Sequence, residues 1–346
     1  MSKWRTLRKS FVLYLTHTSA TRLLNIIAAC LGYCISQMLK RPVLLGMPIT
    51  VAVEPTTQCN LGCPDCPTGI GQLERNGGIM PLERFVSIVD EVKGHATSLL
   101  MHFQGEPMLH AHLPAMIEYA SQRGLITELA SNATLITNSS ARELVKSGIK
   151  RLVVSTDSVT EETSGFYRRG AKLSQVVRGL EAIMLSKREL RSKYPLLIME
   201  LLVFNDNLGE IKAFKNLGKG LGVDLVRIKT THVSDIDGVE GRVPVGSKYS
   251  RYMRDGSGMV IPKGSPSSLC RAPWTSLSVT HDGWIVPCCF DKSGYYPMGS
   301  LLYSNVREIW QGAAYNSFRA SMLRRRRRMP VCSSCAIGRT RIDFFG

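Results

Sequence analysis

From residue 49 onward, short runs rich in β-branched and apolar residues alternate with longer runs in which apolar positions recur every three to four residues. The short runs predict strands over Ile49 to Glu54, Ser98 to Phe103, Ile126 to Ala130, Arg151 to Ser155, Leu196 to Val203 and Asp224 to Lys229. The longer runs predict helices over Pro81 to Val92, Leu113 to Arg123, Ser139 to Lys146, Leu173 to Leu190 and Leu208 to Leu217. Strands alternating with helices predict an α/β fold, with parallel strands and right-handed crossovers in an open or partial barrel. Such folds gather their chemistry at the C-terminal ends of the strands. There the sequence places Cys59, Gln104 to Pro107, Asn132, Asp157 and Asn205.

Beyond Thr231 the alternation stops, and a Gly, Ser and Pro-rich stretch from Gly256 to Ser268 marks a domain boundary. Past it, Leu277 to Val279 and Trp284 to Val286 flank His281-Asp282-Gly283, a hairpin pattern, and a helix is expected over Val306 to Leu323. The expected units are residues 1–48, a basic apolar helical segment; 49–255, the barrel; and 256–346, a small cysteine-bearing domain.

The stretch Leu23 to Leu39 is the most apolar in the chain, but Asn25, Ser36 and Gln37 interrupt it. It falls short of the ~20 residues of a spanning helix and is not read as one. No small-residue cleavage site follows it, which speaks against a secretory signal. A helix or helix pair remains, able to pack on the barrel or to lie on an anionic membrane surface. The expected location is cytoplasmic, with peripheral contact at the inner face of the membrane as an open alternative.

Charge sharpens this picture. Net charge is +17 over 346 residues; residues 1–48 carry seven Lys or Arg and no acid, and residues 319–346 carry eight Arg against Asp343. The two ends thus hold most of the excess and the middle is near balance. A uniformly basic nucleic-acid binder would distribute its charge differently. The run Arg324 to Arg328 is read as solvated.

Eight of the ten cysteines form three groups: Cys59, Cys63 and Cys66; Cys270, Cys288 and Cys289; Cys332 and Cys335. Cys30 and Cys34 stand apart and are read as buried helical thiols. Three thiolates spaced as in Cys59-x3-Cys63-x2-Cys66 can bind three corners of a cubane cluster and leave the fourth iron open. A structural zinc site wants a fourth ligand, and the nearest His in sequence is His95.

CxxxCxxC after the first strand of a partial (β/α)6 barrel resembles the radical S-adenosylmethionine superfamily. The resemblance covers about residues 49 to 338. It implies a [4Fe-4S] cluster on Cys59, Cys63 and Cys66 whose open iron chelates S-adenosylmethionine, reductive cleavage to a 5'-deoxyadenosyl radical, and hydrogen abstraction from a substrate. It also implies a flavodoxin- or ferredoxin-like electron donor. Gln104-Gly105-Glu106-Pro107 resembles the family's Gly-Gly-Glu-Pro element, with Gln in place of its first Gly. Asn132 with Ser131, and Ser155 with Asp157, match positions that face S-adenosylmethionine in relatives. Arg168, in Tyr167-Arg168-Arg169-Gly170, matches an Arg able to pair with the methionine carboxylate. Asp65 departs from the pattern, since many relatives have an aromatic residue before the third cysteine. No catalytic acid or base is assigned; His102, His110 and His232 are placed only by location.

The tail resembles the twitch or truncated SPASM domain, through Cys270-x12-Gly283-x4-Cys288 and Cys332-x2-Cys335. This implies one auxiliary [4Fe-4S] cluster on Cys270, Cys288, Cys332 and Cys335, two clusters in all, with Cys289 spare. A zinc knuckle is the alternative for these four. The expected activity is a radical oxidation of an unidentified substrate with the auxiliary cluster as electron acceptor, as in small-molecule, sugar-alcohol or lipid dehydrogenases. Peptide maturation is a second reading, against which residues 1–48 are few for a peptide-recognition domain. A zinc-binding membrane or nucleic-acid adaptor is the alternative of a different class.

Overall fold

In the computed structural model, residues 3–233, 238–264, 269–333, 335 and 343–345 are described. Two helices open the chain, α1 (Lys3–His17) and α2 (Ala20–Leu39). Ser19 caps α2 by accepting from the Arg22 amide. The alternating region then runs β1 (Thr50–Val53), α3 (Leu82–Val92), β2 (Ser98–Leu100), α4 (Leu113–Gln122), β3 (Ile126–Ser131), α5 (Asn138–Lys146) and β4 (Arg151–Ser155). It continues with α6 (Glu161–Tyr167), α7 (Leu173–Glu189), β5 (Leu196–Val203), α8 (Ile211–Gly220) and β6 (Leu225–Thr230). A short helix α9 (Val239–Arg242) and a small hairpin, β7 (Tyr252–Arg254) with β8 (Val260–Pro262), lead into the tail. The tail holds α10 (Ala272–Thr275), β9 (Ser276–Val279), β10 (Trp284–Val286), β11 (Gly299–Ser300), α11 (Val306–Gln311), α12 (Ala313–Arg325), α13 (Pro330–Ser333) and β12 (Asp343–Phe345).

Strands β1 to β6 lie side by side in chain order, all parallel. This is the expected partial barrel. The tail does not stack on it as a separate layer. β9 pairs in parallel with β1, Val51 opposite Leu277, and β12 pairs antiparallel with β6, Asp343 opposite Lys229. Tail strands therefore extend both edges of the barrel sheet. The single helix expected over Val306 to Leu323 is two helices, because the backbone at Gly312 is extended (ψ 167°) and starts α12 as a new helix.

Alternation along each strand sorts the side chains. One face, including Val51, Leu99, Leu129, Leu152, Leu197 and Ile228, packs against Phe85, Ile88, Met116, Leu144, Ile183 and Phe214 of the surrounding helices. Each such fully buried aliphatic or aromatic side chain contributes about 1.5–3 kcal/mol. The other face turns into the barrel lumen and carries Ala130, Val153, Ile198 and Leu225 together with charged residues.

The N-terminal ends of the strands are closed by α1 and α2. Leu13 is fully buried against Ile126 and Leu196 at the starts of β3 and β5. The Arg22 guanidinium donates to the carbonyls of His17, Lys93, Arg123 and Gly124, and Asn25 donates to those of Met47 and His95. Ser36 accepts from Trp274 Nε1 at 3.0 Å, tying α2 to α10. Small residues allow this approach, since a Cβ on Gly46 would lie 2.6 Å from the Ala29 nitrogen. Two expectations are corrected. The apolar helix spans 20 residues, Ala20–Leu39, long and apolar enough to cross a membrane by length and composition. Cys30 and Cys34 are exposed on its outer face, because the inner face is taken by Arg22, Ala29, Gly32 and Ser36.

Candidate active site

At the opposite end, the loop after β1 holds Cys59 and Cys66, half-buried, and Cys63, buried, in one apolar cluster with Leu61, Ala171 and Tyr167. Its first residues are held rigidly. Glu54 is fully buried; it accepts from Arg75 Nη1 at 2.8 Å and from the His281 amide at 3.1 Å. The Glu106 amide donates to the Gln58 carbonyl at 2.7 Å. Gly105 has φ +74°, and a Cβ there would lie 2.3 Å from the Thr56 carbonyl oxygen, so only glycine lets the β2 loop press against the cysteine loop.

The residues expected to face S-adenosylmethionine gather around this loop. Gln104 Oε1 accepts from Thr68 Oγ1 at 3.3 Å and lies 3.9 Å from Cys66 Sγ. Pro107 is buried and opens a short turn, whose Met108 amide donates to Glu106 Oε1 at 3.0 Å. The Glu106 carboxylate also accepts from Ser131 Oγ and from the Asn132 amide, both at 2.8 Å, so it ties the end of β2 to the end of β3. Asn132 Nδ2 donates to Asn60 Oδ1 at 2.9 Å, one residue from Cys59. Ser155 ends β4 in register with Glu200. Burial pushes the Glu106 carboxyl above its usual range, against the donors that hold it.

Arg168 pairs with Asp157, Nε to Oδ2 at 2.6 Å. Asp157 has φ +59° and accepts from the Leu202 amide at 2.6 Å, so β5 orients the acid and the acid orients the guanidinium. Burial disfavours the Arg168 cation, but Asp157 and Cys63 outweigh it and hold its pKa above the ordinary value. Arg168 in turn opposes the burial that pushes the Cys63 thiol up to about 11. Asp65, which departs from the family pattern, pairs with Arg242 at 2.6 Å and so joins the cysteine loop to α9. Beside it a pocket of about 160 Å³ is lined by Asp65, Phe166, Tyr167, Phe204, Asn207 and Arg242, among others.

Several residues of this end escaped the sequence reading. On the lumen face, between neighbouring strands, Arg151 pairs with Glu128 at 3.0 Å, and Glu200 with Arg227 at 3.1 Å and Lys229 at 3.0 Å. His102 sits among them, held in its neutral form by burial. Burial pushes Glu200 up, yet Lys229 and Arg227 together hold it below the usual carboxylate range. The available signal was the charged residues within otherwise apolar strands, Glu128 in β3, Arg151 opening β4, Glu200 in β5, and Arg227 and Lys229 in β6. Thr156 Oγ1 and Ser158 Oγ, just past the end of β4, are buried without a partner among the described residues. Unpartnered buried hydroxyls at a strand's C-terminal end suit a site that takes a ligand.

In the tail the four cysteines come together. Cys288 is half-buried, close enough to Cys270 and Cys335 for their charges to act on its thiol, and buried Cys332 is likewise under the influence of Cys335 and Cys270. Burial pushes the Cys332 thiol up to about 11, while Arg326 opposes it. This corrects the solvated reading for Arg326 alone; Arg324, Arg325, Arg327 and Arg328 are exposed as expected. Arg326 is 4% exposed and donates to the Leu269 carbonyl at 3.0 Å, beside Cys270. Cys289 is exposed. The loop after Cys288 returns to the barrel, where the Lys292 carbonyl accepts from Arg75 and Phe290 meets His232 at the end of β6. Among the described residues no three His, Cys, Asp or Glu side chains converge on a single-ion site.

The radical SAM superfamily model matches residues 53–215, and the iron-sulfur cluster-binding SPASM domain matches residues 270–336. The chain belongs to the radical SAM superfamily. As a SPASM-containing radical SAM enzyme it binds S-adenosylmethionine, a [4Fe-4S] cluster and an auxiliary iron-sulfur cluster. It is 23% identical over 323 residues to the tungsten-containing aldehyde ferredoxin oxidoreductase cofactor-modifying protein of Pyrococcus furiosus, covering 84% of this chain and 88% of that one. It is 28% identical to the AdoMet-dependent heme synthases of Oleidesulfovibrio alaskensis and Methanosarcina barkeri, over about half of this chain and less than half the length of either. Among solved structures, BtrN in complex with AdoMet and 2-DOIA superposes with a TM-score of 0.54 at 18% identity, over 84% of this chain and 93% of that one. SuiB of Streptococcus suis bound to S-adenosylmethionine gives 0.61 at 14% identity, over 86% and 72%.

Proposed function

We propose that this radical SAM enzyme oxidises a polar substrate by two electrons inside the barrel lumen. Cys59, Cys63 and Cys66 would hold the first cluster, and Cys270, Cys288, Cys332 and Cys335 the auxiliary one. When bound, the first cluster and S-adenosylmethionine supply a 5'-deoxyadenosyl radical, given one electron from a flavodoxin- or ferredoxin-like donor. The chain's own residues do the rest. Arg168, fixed by Asp157, is placed for the methionine carboxylate, and Gln104, Gly105 and Glu106 shape the loop around the amino group. Pro107, Asn132 and Ser155 complete the rim.

The observation that carries the reading is the charged lining beneath the cysteine loop, with Glu128–Arg151 and Glu200–Arg227–Lys229 in the lumen. It suits a substrate with hydroxyl, amine or carboxyl groups and not an acyl chain. Abstraction of one hydrogen atom leaves a substrate radical. Held by Cys270, Cys288, Cys332 and Cys335, the auxiliary cluster would supply an acceptor for the second electron, and neutral His102, whose Nδ1 has no partner among the described residues, would take the accompanying proton.

The test is metal and product analysis of protein reconstituted without oxygen. Iron and sulfide should each come to about eight per chain, falling to about four when Cys59, Cys63 and Cys66 are replaced by Ala. Only the variant lacking Cys270, Cys288, Cys332 and Cys335 should keep forming 5'-deoxyadenosine. Zinc without sulfide would overturn the reading. Deuterium transfer into 5'-deoxyadenosine from labelled metabolite pools, compared with labelled peptides, identifies the substrate class.

A further inference from the structure

The end of the barrel remote from the cysteines has its own design. Along α2 the positions Leu24, Ile27, Leu31, Cys34 and Met38 follow helical spacing, and all face outward. Leu24 is 66% exposed and Met38 73%, and α1 likewise exposes Phe11 (64%) and Leu15 (62%). Soluble surfaces seldom leave so long a continuous apolar stripe uncovered.

A second, independent feature is charge. The central region is near neutral overall, yet the helix ends and turns that feed β4, β5 and β6 carry Lys146, Lys150, Arg191, Lys193 and Lys219, against Glu143 and Glu189, the latter paired with Arg142. The acid of these turns, Asp224, is taken by Lys9 and Lys187. Lys40 and Arg41 end α2 on the same side. Lys9, Lys187 and Lys193 line one pocket with Val12 of α1, and Lys150 lies near His17, so cations flank the apolar helices.

Length alone would let α2 cross a bilayer. Its inner face forbids that while the barrel is folded. Arg22 and Asn25 are bonded to backbone carbonyls of the loops that enter β1, β2 and β3, and Ser36 to Trp274. Spanning would strand these polar groups in hydrocarbon, each at several kcal/mol.

We propose that the N-terminal end of the barrel is a foot that docks on the surface of an anionic lipid bilayer, with α1 and α2 lying in the interface. The cysteine loop sits at the other end of the strands; six-residue β3 alone spans about 20 Å. Docked in this way, the mouth faces the aqueous phase and admits substrate from there. The inference is independent of the proposed oxidation.

The test is flotation of the reconstituted full-length enzyme with vesicles. With about one third phosphatidylglycerol in phosphatidylcholine, the protein should float, and with phosphatidylcholine alone its binding should fall about tenfold or more. The triple variant Leu24→Glu, Leu31→Glu and Met38→Glu should lose at least about a hundredfold in binding while keeping its melting temperature. Lys146→Glu with Lys193→Glu and Lys219→Glu should weaken binding about tenfold and flatten its salt dependence. In the unmutated protein, anionic vesicles should shield Cys30 and Cys34 from a water-soluble maleimide. Failure to float, equal flotation of the Glu triple variant, or unshielded Cys30 and Cys34 would overturn the proposal. Retention through alkaline carbonate would instead show a spanning helix and overturn it equally. A dimer that the Glu triple variant dissociates, without flotation, would assign the face to a second copy.

Discussion

The two ends of the barrel solve opposite problems. At the N-terminal end the buried polar side chains of α2 and the acid before β6 have found partners: Arg22 and Asn25 meet carbonyls, Asp224 meets two lysines, and Leu13 packs under the strands. At the C-terminal end, thiols are buried at raised pKa, Asp157 sits at positive φ, and hydroxyls just past β4 lack partners among the described residues. The first end is tied together by folding, though His95 Nε2 and Thr97 Oγ1 at the entry to β2 also lack partners among the described residues, whereas at the second the unpartnered hydroxyls adjoin the cysteine loop and strand ends that we propose take the cofactors. The difference teaches where stability and chemistry separate along one set of strands.

The largest effect that could break this comparison is at the cysteine loop. Cys63→Ser should abolish 5'-deoxyadenosine formation, by about a thousandfold or more, and remove one cluster's iron, with the far-UV spectrum retained. At the other end, Arg22→Leu leaves four carbonyls without their donor and should cost about 3 kcal/mol, read as a lower urea midpoint. Its S-adenosylmethionine cleavage per folded molecule should stay within about twofold. Loss of activity without loss of stability in that variant would erase the distinction.

Next comes Arg168→Lys, which keeps the charge beside Asp157 but loses the planar fork. It should slow S-adenosylmethionine cleavage about ten- to a hundredfold, mainly through weaker cofactor binding measured by calorimetry. Acid should act at the N-terminal end. Burial pushes Asp224 up, but bonds from Lys187 and Lys9 outweigh it and hold its pKa below 3.8. Its contribution is therefore present above pH 3.8 and fades as pH falls through the lowered value. Asp224→Asn should be less stable by about 2 kcal/mol at neutral pH, and the gap should close below that value. The smallest expected effect is Arg326→Leu. Loss of a buried cation beside Cys332 should make the auxiliary cluster harder to reduce, seen as a more negative midpoint in an EPR-monitored titration.

The sequence was most legible where periodicity was strict. The strands Arg151–Ser155 and Leu196–Val203 fall on the expected residues because both faces are buried and the apolar runs are sharply bounded. It was least legible where burial depends on distant chain. Cys30 and Cys34 look like core thiols by composition, yet the face they occupy is opposite the one that Arg22 and Ser36 dock. Arg326 looks like one of five solvated cations, yet its helix brings it under Leu269 and beside Cys332.

The sequence by itself determined the alternating fold and the triplet Cys59, Cys63 and Cys66, because these are encoded in local spacing, while the grouping of Cys270 and Cys288 with Cys332 and Cys335 came from the resemblance of the tail to the SPASM domain. Only the tertiary structure decided that the tail strands join the barrel's own sheet, that Asp65 is bound to Arg242, and that Glu128, Arg151, Glu200, Arg227 and Lys229 share one lumen. It also decided that α1 and α2 close the end away from the cysteines. Such pairings join residues up to about two hundred positions apart, and local periodicity carries no record of which distant partner will satisfy a charge or cover a face.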